Sequence, residues 1–283
     1  MGGAIRALLE TILDLIHLQN LHTNIGSGLR DFMQEVYNIV IGIQENAMQP
    51  VAYTILAIFI LLEIQKISTK VEQAGGAPTL GFELIFKTLV KLIICKMVVD
   101  NVQVILDAIL GTSNALINNI FEVGQDNRTT EALIDQFMDY LPRWNFWNRM
   151  AALINLVMIN IVALVLRVYI EVTLYIRYFE LYVFAAIAPL PVATIPNEEF
   201  SSIGKSFFKG FVAVGLQGVF LALVMTIYPV ILKEILNVDG PFLRMGQLSG
   251  YMVVQFALLL YMLIIFLSIN KTKQWAKSIV NVS

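Results

Sequence analysis

The sequence predicts an all-α, polytopic integral membrane protein. About five transmembrane helices are expected, within a range of four to six, preceded by amphipathic N-terminal helices. Three observations carry this. Apolar residues make up 58% of 283 positions, charged residues only 14%, where soluble domains carry roughly 25%. Mean hydropathy is +0.73. Long stretches hold no charge at all: Gly210–Leu232, Met245–Asn270, Asn46–Leu62 and Met150–Leu166. A helix needs about 20 apolar residues to cross the hydrocarbon layer, and two of these runs exceed that. A soluble fold would need several helices that are apolar all round within one small domain.

Residues 1–47 form the amphipathic N-terminal part, extracytoplasmic or interfacial. Between residues 4 and 21, Arg6, Glu10, Asp14 and His17 share one face, with Leu8, Leu9, Ile12, Leu15, Ile16 and Leu18 over the rest. Such a helix suits a membrane interface, a groove on a partner, or its own domain. Glu10 and Asp14 interrupt the apolar region, so it does not read as a signal peptide. Gly26, Ser27 and Gly28 form a hinge, and a second amphipathic stretch runs from Arg30 to about Gln44.

Residues 48–283 form the membrane domain. Its first span is predicted near 48–64, followed by a Gly- and Pro-marked loop at 73–78. The second, 81–110, carries Glu83, Lys87, Lys91, Lys96, Asp100 and Asp107. Lys96 and Asp100 are spaced i, i+4 and form a candidate intramembrane charge pair. A helix this charged is either covered by neighbours or lies along the interface. Residues 111–147 are predicted as an acidic outside loop ending in Tyr140, Trp144, Phe146 and Trp147, an aromatic set that suits a membrane boundary. The third span, 148–176, continues as helix or re-entrant piece to about 190, where Pro189, Pro191 and Pro196 break it. The fourth is near 207–232, with Gly218 and Ala222 spaced for close helix approach. The fifth is near 247–269, followed by a tail with Lys271, Lys273 and Lys277. That basic tail predicts a cytoplasmic C-terminus and, through five spans, an N-terminus outside.

No chemistry is legible. The chain has two histidines, one cysteine, no Gly-rich phosphate loop and no nucleophile elbow. The expectation is therefore no enzyme, no cofactor and no metal. The net charge of −2 gives no global field for nucleic acid. The third helix is more informative. Arg149, Asn160, Arg167, Glu171 and Tyr178 fall within about 40° on a helical wheel at 100° per residue. A polar stripe on an apolar helix faces protein or water, because lipid cannot satisfy it. It is a candidate lumen lining or subunit contact, or else a salt bridge that packs the helix on its neighbours. Asn155, Thr173, Arg177 and Glu180 make a second stripe.

From Leu181 to Val224 the chain reads LYVFAAIAPLPVATIPNEEFSSIGKSFFKGFVAVGLQGVFLALV. This apolar helix, Ala-Pro break, short polar loop and new span resemble the TrbL-like polytopic membrane subunit of conjugation and type IV secretion machines, closest to versions from conjugative elements of Gram-positive bacteria. The resemblance implies a bacterial cytoplasmic-membrane channel or scaffold subunit that passes single-stranded DNA with a bound relaxase. It also implies self-association as a homo-oligomeric ring, and ATPases of the same machine as partners besides membrane lipid. Two other functions stay open on the residues: a small-solute transporter or ion-channel subunit, and a non-conducting membrane scaffold.

Overall fold

The structure, a computed structural model, describes residues 2–17, 24–73, 78–124, 134, 138, 145–236 and 250–281. The predicted 73–78 loop, most of the acidic stretch after 124, Tyr140, Trp144 and the 233–246 connection fall wholly or largely outside these residues. The described elements are helical. Among the described residues, four helices are long and apolar enough to cross a membrane: Gln34–Gln73, Val102–Gly124, Arg149–Ile187 and Ser201–Ile231. The chain is an all-α polytopic membrane protein.

In chain order the elements are α1 (Gly2–His17), α2 (Leu29–Phe32), α3 (Gln34–Ile43), a π-turn (Gln44–Met48), α4 (Gln49–Gln73), α5 (Pro78–Asp100), α6 (Val102–Gly124), α7 (Phe146–Ile187), α8 (Pro189–Val192), α9 (Ser201–Leu236) and α10 (Gly250–Val280). They divide into two compact units. The first holds Met1–Ser27, Ser113–Arg177 and Gln217–Ala276; the second holds Gly28–Thr112, Tyr178–Leu216 and Lys277–Ser283.

In the first unit, α1 buries Ile5, Leu9 and Ile12, one stripe at helical spacing. Arg6 Nε donates to Glu10 Oε1 at 3.0 Å on its exposed side; the side chains of Asp14 and His17 lie outside the described set. α7 buries Ala152, Leu156, Ile159, Ala163, Leu166, Ile170 and Leu174. This three- and four-residue spacing is a packing seam. Ile154, Met158, Ile161, Val165, Val168 and Val172 are exposed on its opposite side. A row of large aliphatics open to the surroundings suits acyl chains, not water. Polar groups tie the unit's helices together: the Tyr169 hydroxyl to Asn270 Oδ1, and Tyr228 with Ser268. Gly124 sits where a β-carbon would come within 2.6 Å of the Thr226 methyl, so α6 and α9 approach closely there.

The second unit begins with the longest departure from expectation. The first predicted span, 48–64, is the mostly apolar middle of a helical run from Gln34 to Gln73. The run is interrupted at Gln44–Met48 by the π-turn. Pro50 explains the position. It has no N–H to donate to the carbonyl four residues back, so the preceding ladder rearranges. The Gln49 N–H then reaches the carbonyl of Gln44, and the Asn46 amide takes the Gly42 carbonyl at 2.8 Å.

The segment predicted as one helix over 81–110 is two, α5 and α6, meeting at Asn101. The Asn101 side-chain amide donates to the Met97 carbonyl at 2.8 Å. The backbone ladder still carries across the join, Asn101 N–H to the Met97 carbonyl at 3.1 Å and Ile105 N–H to the Asn101 carbonyl at 3.4 Å, so a single residue suffices for it. The predicted loop 111–147 accordingly opens with the second half of α6, which is helical to Gly124.

α7 runs 42 residues without interruption, about 63 Å at 1.5 Å per residue. It ends at Ile187, and Ala188 stands between it and Pro189. Residues 178–187 therefore extend α7. Pro189 then starts the four-residue α8, whose first N–H would lack a partner in any case. Asn197, 2% exposed, organises the reversal into α9. Its Oδ1 accepts from the Glu199 N–H at 3.0 Å and the Phe200 N–H at 3.3 Å. Gly204 lets the start of α9 lie against this turn, since a β-carbon would come 2.7 Å from the Pro191 carbonyl oxygen. The turn also joins its own unit's helices: Lys66 pairs with Glu199 at 2.6 Å, Phe59 lies 5.2 Å from Phe200, and Cys95 Sγ donates to the Val192 carbonyl at 3.5 Å.

Candidate functional site

The polar residues of the spans are the candidates, since lipid satisfies none of them. On α7 the seam occupies one side of the helix. Arg149, Asn160, Arg167, Glu171 and Tyr178 lie roughly 65° away from its centre at 100° per residue. Four of the five are half-buried, at the margin of the seam and away from the exposed aliphatic row. Arg167 Nε donates to Glu171 Oε1 at 2.8 Å, with side chains 21% and 43% exposed. Tyr178 has another environment. It is 1% exposed, its ring stacked on Phe32 at 3.7 Å between centroids and 8° between planes. The stripe therefore divides into a half-open charged part and a sealed aromatic end.

Arg177 is the buried charge of this helix, at 1% exposure. Its Nη1 donates to the Ile25 carbonyl at 3.2 Å. A guanidinium deep in protein is costly unless its donors find acceptors, and a backbone carbonyl meets part of that demand. Gly218 of α9 makes the room. A β-carbon there would come 2.5 Å from Nη2 and 2.8 Å from Nη1. The small residue at 218 admits the Arg177 side chain. Tyr182, one turn beyond, donates its hydroxyl to the Leu29 carbonyl at 2.7 Å within the second unit.

Lys96 and Asp100 are brought together, Nζ to Oδ2 at 2.7 Å. Tyr53 of α4 joins them: its hydroxyl donates to Asp100 Oδ1 at 2.6 Å, and Lys96 Nζ lies 5.4 Å from its ring centroid. The carboxylate thus has two donors, and α4 is tied to α5 by a polar contact that the sequence did not disclose.

A further polar face lies on α6. Gln103, Asp107, Gly111, Asn114, Asn118 and Glu122 recur every three or four residues and fall within an arc of about 100°. Gln103 Nε2 donates to Asp107 Oδ1 at 2.9 Å. Asn114 Oδ1 is buried without a hydrogen-bond partner. Asn118 lies against Gly26, where a β-carbon would come 2.6 Å from its Oδ1. The spacing is present in the sequence, but it crosses from the predicted second span into the predicted loop after 110, where helical periodicity has no meaning. Among the described residues no group of three or more His, Cys, Asp or Glu side chains is placed to hold a metal ion.

Residues 16–189 match the family described as TrbL/VirB6 plasmid conjugal transfer like protein. No curated protein and no solved structure matches the chain.

Proposed function

Given that the chain belongs to the TrbL/VirB6 plasmid conjugal transfer-like family, we propose that it forms part of the passage by which single-stranded DNA, with its bound relaxase, leaves the cell. The chain is a multi-pass membrane subunit of a conjugal transfer, type IV secretion machine, and the other subunits of that machine are its partners. In the proposed reading these include the ATPases that drive transfer, and several copies surround the path as a ring. The N-terminus lies outside, the C-terminus is cytoplasmic, and the chain catalyses no reaction of its own.

The observation that supports passage is the pair of polar faces on helices that are otherwise apolar. α6 presents amides and α7 the half-open Arg167–Glu171 pair. Transfer without sequence preference calls for sequence-blind contacts; the amides of Gln103, Asn114 and Asn118, beside the carboxylates Asp107 and Glu122, and the α7 charges are the polar groups offered for them. The test is the double substitution Arg167→Ala with Glu171→Ala in donor cells. Transfer frequency is expected to fall while the protein still reaches the membrane. Transfer and assembly both left intact would overturn this role for α7.

A further inference from the structure

A hollow of about 140 Å3 opens beside α5 in the second unit. Its lining comes from Lys91, Ile94, Cys95 and Val98 of α5 and from Ile195 and Pro196 of the turn after α8. The sequence explains the gap. α5 buries Leu92, Cys95 and Val99 along one seam, and the middle residue is the small one. The Cys95 thiol is held inward on the Val192 carbonyl, which leaves a space a longer side chain would fill.

The walls are apolar, and that decides what the space can hold. A buried water needs two to four polar partners, whereas a dry apolar cavity of about 150 Å3 accepts a benzene-sized group. The hollow is also open. Ile94 is 56% exposed, and Ile93 and Met97 beside it are 61% exposed, on the side of α5 that a bilayer would cover with acyl chains. Lys91 lines the hollow and Lys87 lies one helical turn before it. Among the described residues neither lysine makes an ion pair. An ammonium at the edge of an apolar slot attracts the phosphate of an anionic headgroup.

We infer that this slot takes a short segment of one acyl chain of an anionic phospholipid, with the lipid phosphate on Lys91 and Lys87. The site rests on residence in the bilayer and not on the passage of DNA, so the two ideas fail separately. The test uses the full chain in nanodiscs of mixed phosphatidylglycerol and phosphatidylcholine, with native mass spectrometry of the lipid that stays bound. Phosphatidylglycerol is expected to be enriched over the disc composition, by about fivefold for each lysine engaged. Lys87→Gln with Lys91→Gln, both on the helix surface, should remove the enrichment. Cys95→Leu fills the slot and leaves the lysines in place, and should remove it too. Bound lipid that mirrors the disc, or enrichment that survives the double lysine variant, would overturn the site. Enrichment that survives Cys95→Leu would do so as well, since headgroup attraction would then need no slot.

Discussion

Gly218 and Arg177 fit each other as seat and occupant: the guanidinium takes the space a β-carbon on residue 218 would need. Gly218→Ala is therefore expected to destabilise the fold by about 1–3 kcal/mol, the usual range for overpacking, seen as earlier thermal unfolding of the detergent-purified protein. In an Arg177→Ala background the same substitution should cost under about 0.5 kcal/mol, because the clash has gone. Equal costs in both backgrounds would refute the pairing.

The α6 face predicts a pattern of chemical access. In a Cys95→Ala background, Gly111→Cys and Asn114→Cys should react with a membrane-impermeant methanethiosulfonate reagent. Cysteines at Val104 and Leu116, exposed apolar positions on the same helix, should not. Residue 111 suits the test, since nothing lies within 4 Å of a β-carbon there. Labelling at 104 and 116 with none at 111 and 114 would mean that the amide face is dry.

Tyr53→Phe removes one donor from Asp100 and leaves Lys96 in place. The net worth of such a hydrogen bond is about 0.5–1.5 kcal/mol, up to about 3 when one partner is charged. A fall in unfolding free energy within that span is expected, and Lys96→Met should lessen it, since Lys96 approaches both partners. A Tyr53→Phe protein as stable as the parent would show that Tyr53 does not tie α4 to α5.

Asn197→Ala should be costly for its size. It strips an acceptor from the Glu199 and Phe200 N–H groups where α9 begins, and loss of such a cap costs about 0.5–2 kcal/mol. Asn197→Asp keeps the acceptor and should recover most of the loss. Limited proteolysis between residues 193 and 200 provides the measurement, with faster cleavage expected for the alanine variant alone.

The sequence made the residence in a bilayer and the all-α fold legible because both depend on averages over many residues. The end of α7 near the prolines was legible for a related reason, since proline's missing N–H acts wherever it stands. What escaped depends on single side chains. α5 and α6 join at the single residue Asn101, and nothing in composition marks that place. The α6 face is hidden for a related reason, since its period runs across the predicted boundary at 110, between span and loop. Arg177 could be placed on a polar stripe, but its partner Ile25 lies 152 positions away, and contacts at that separation leave no local period. The Lys96–Asp100 spacing was readable, while Tyr53, 47 positions from Asp100, was not.

The π-turn at Gln44–Met48 has a consequence for how this chain tolerates change. An i→i+5 turn holds one residue more than an α-turn does. Removing one residue there, Ala47 for example, would bring the turn to α-helical length, with Pro50 still giving no N–H to it, and leave Gln49–Gln73 facing the same neighbours. Removing one residue from the middle of α4 would instead swing every later side chain by about 100°, carrying Lys66 away from Glu199. The bulge is thus a slack link in a helix otherwise held to fixed register, and it is where this segment can change length without turning its faces.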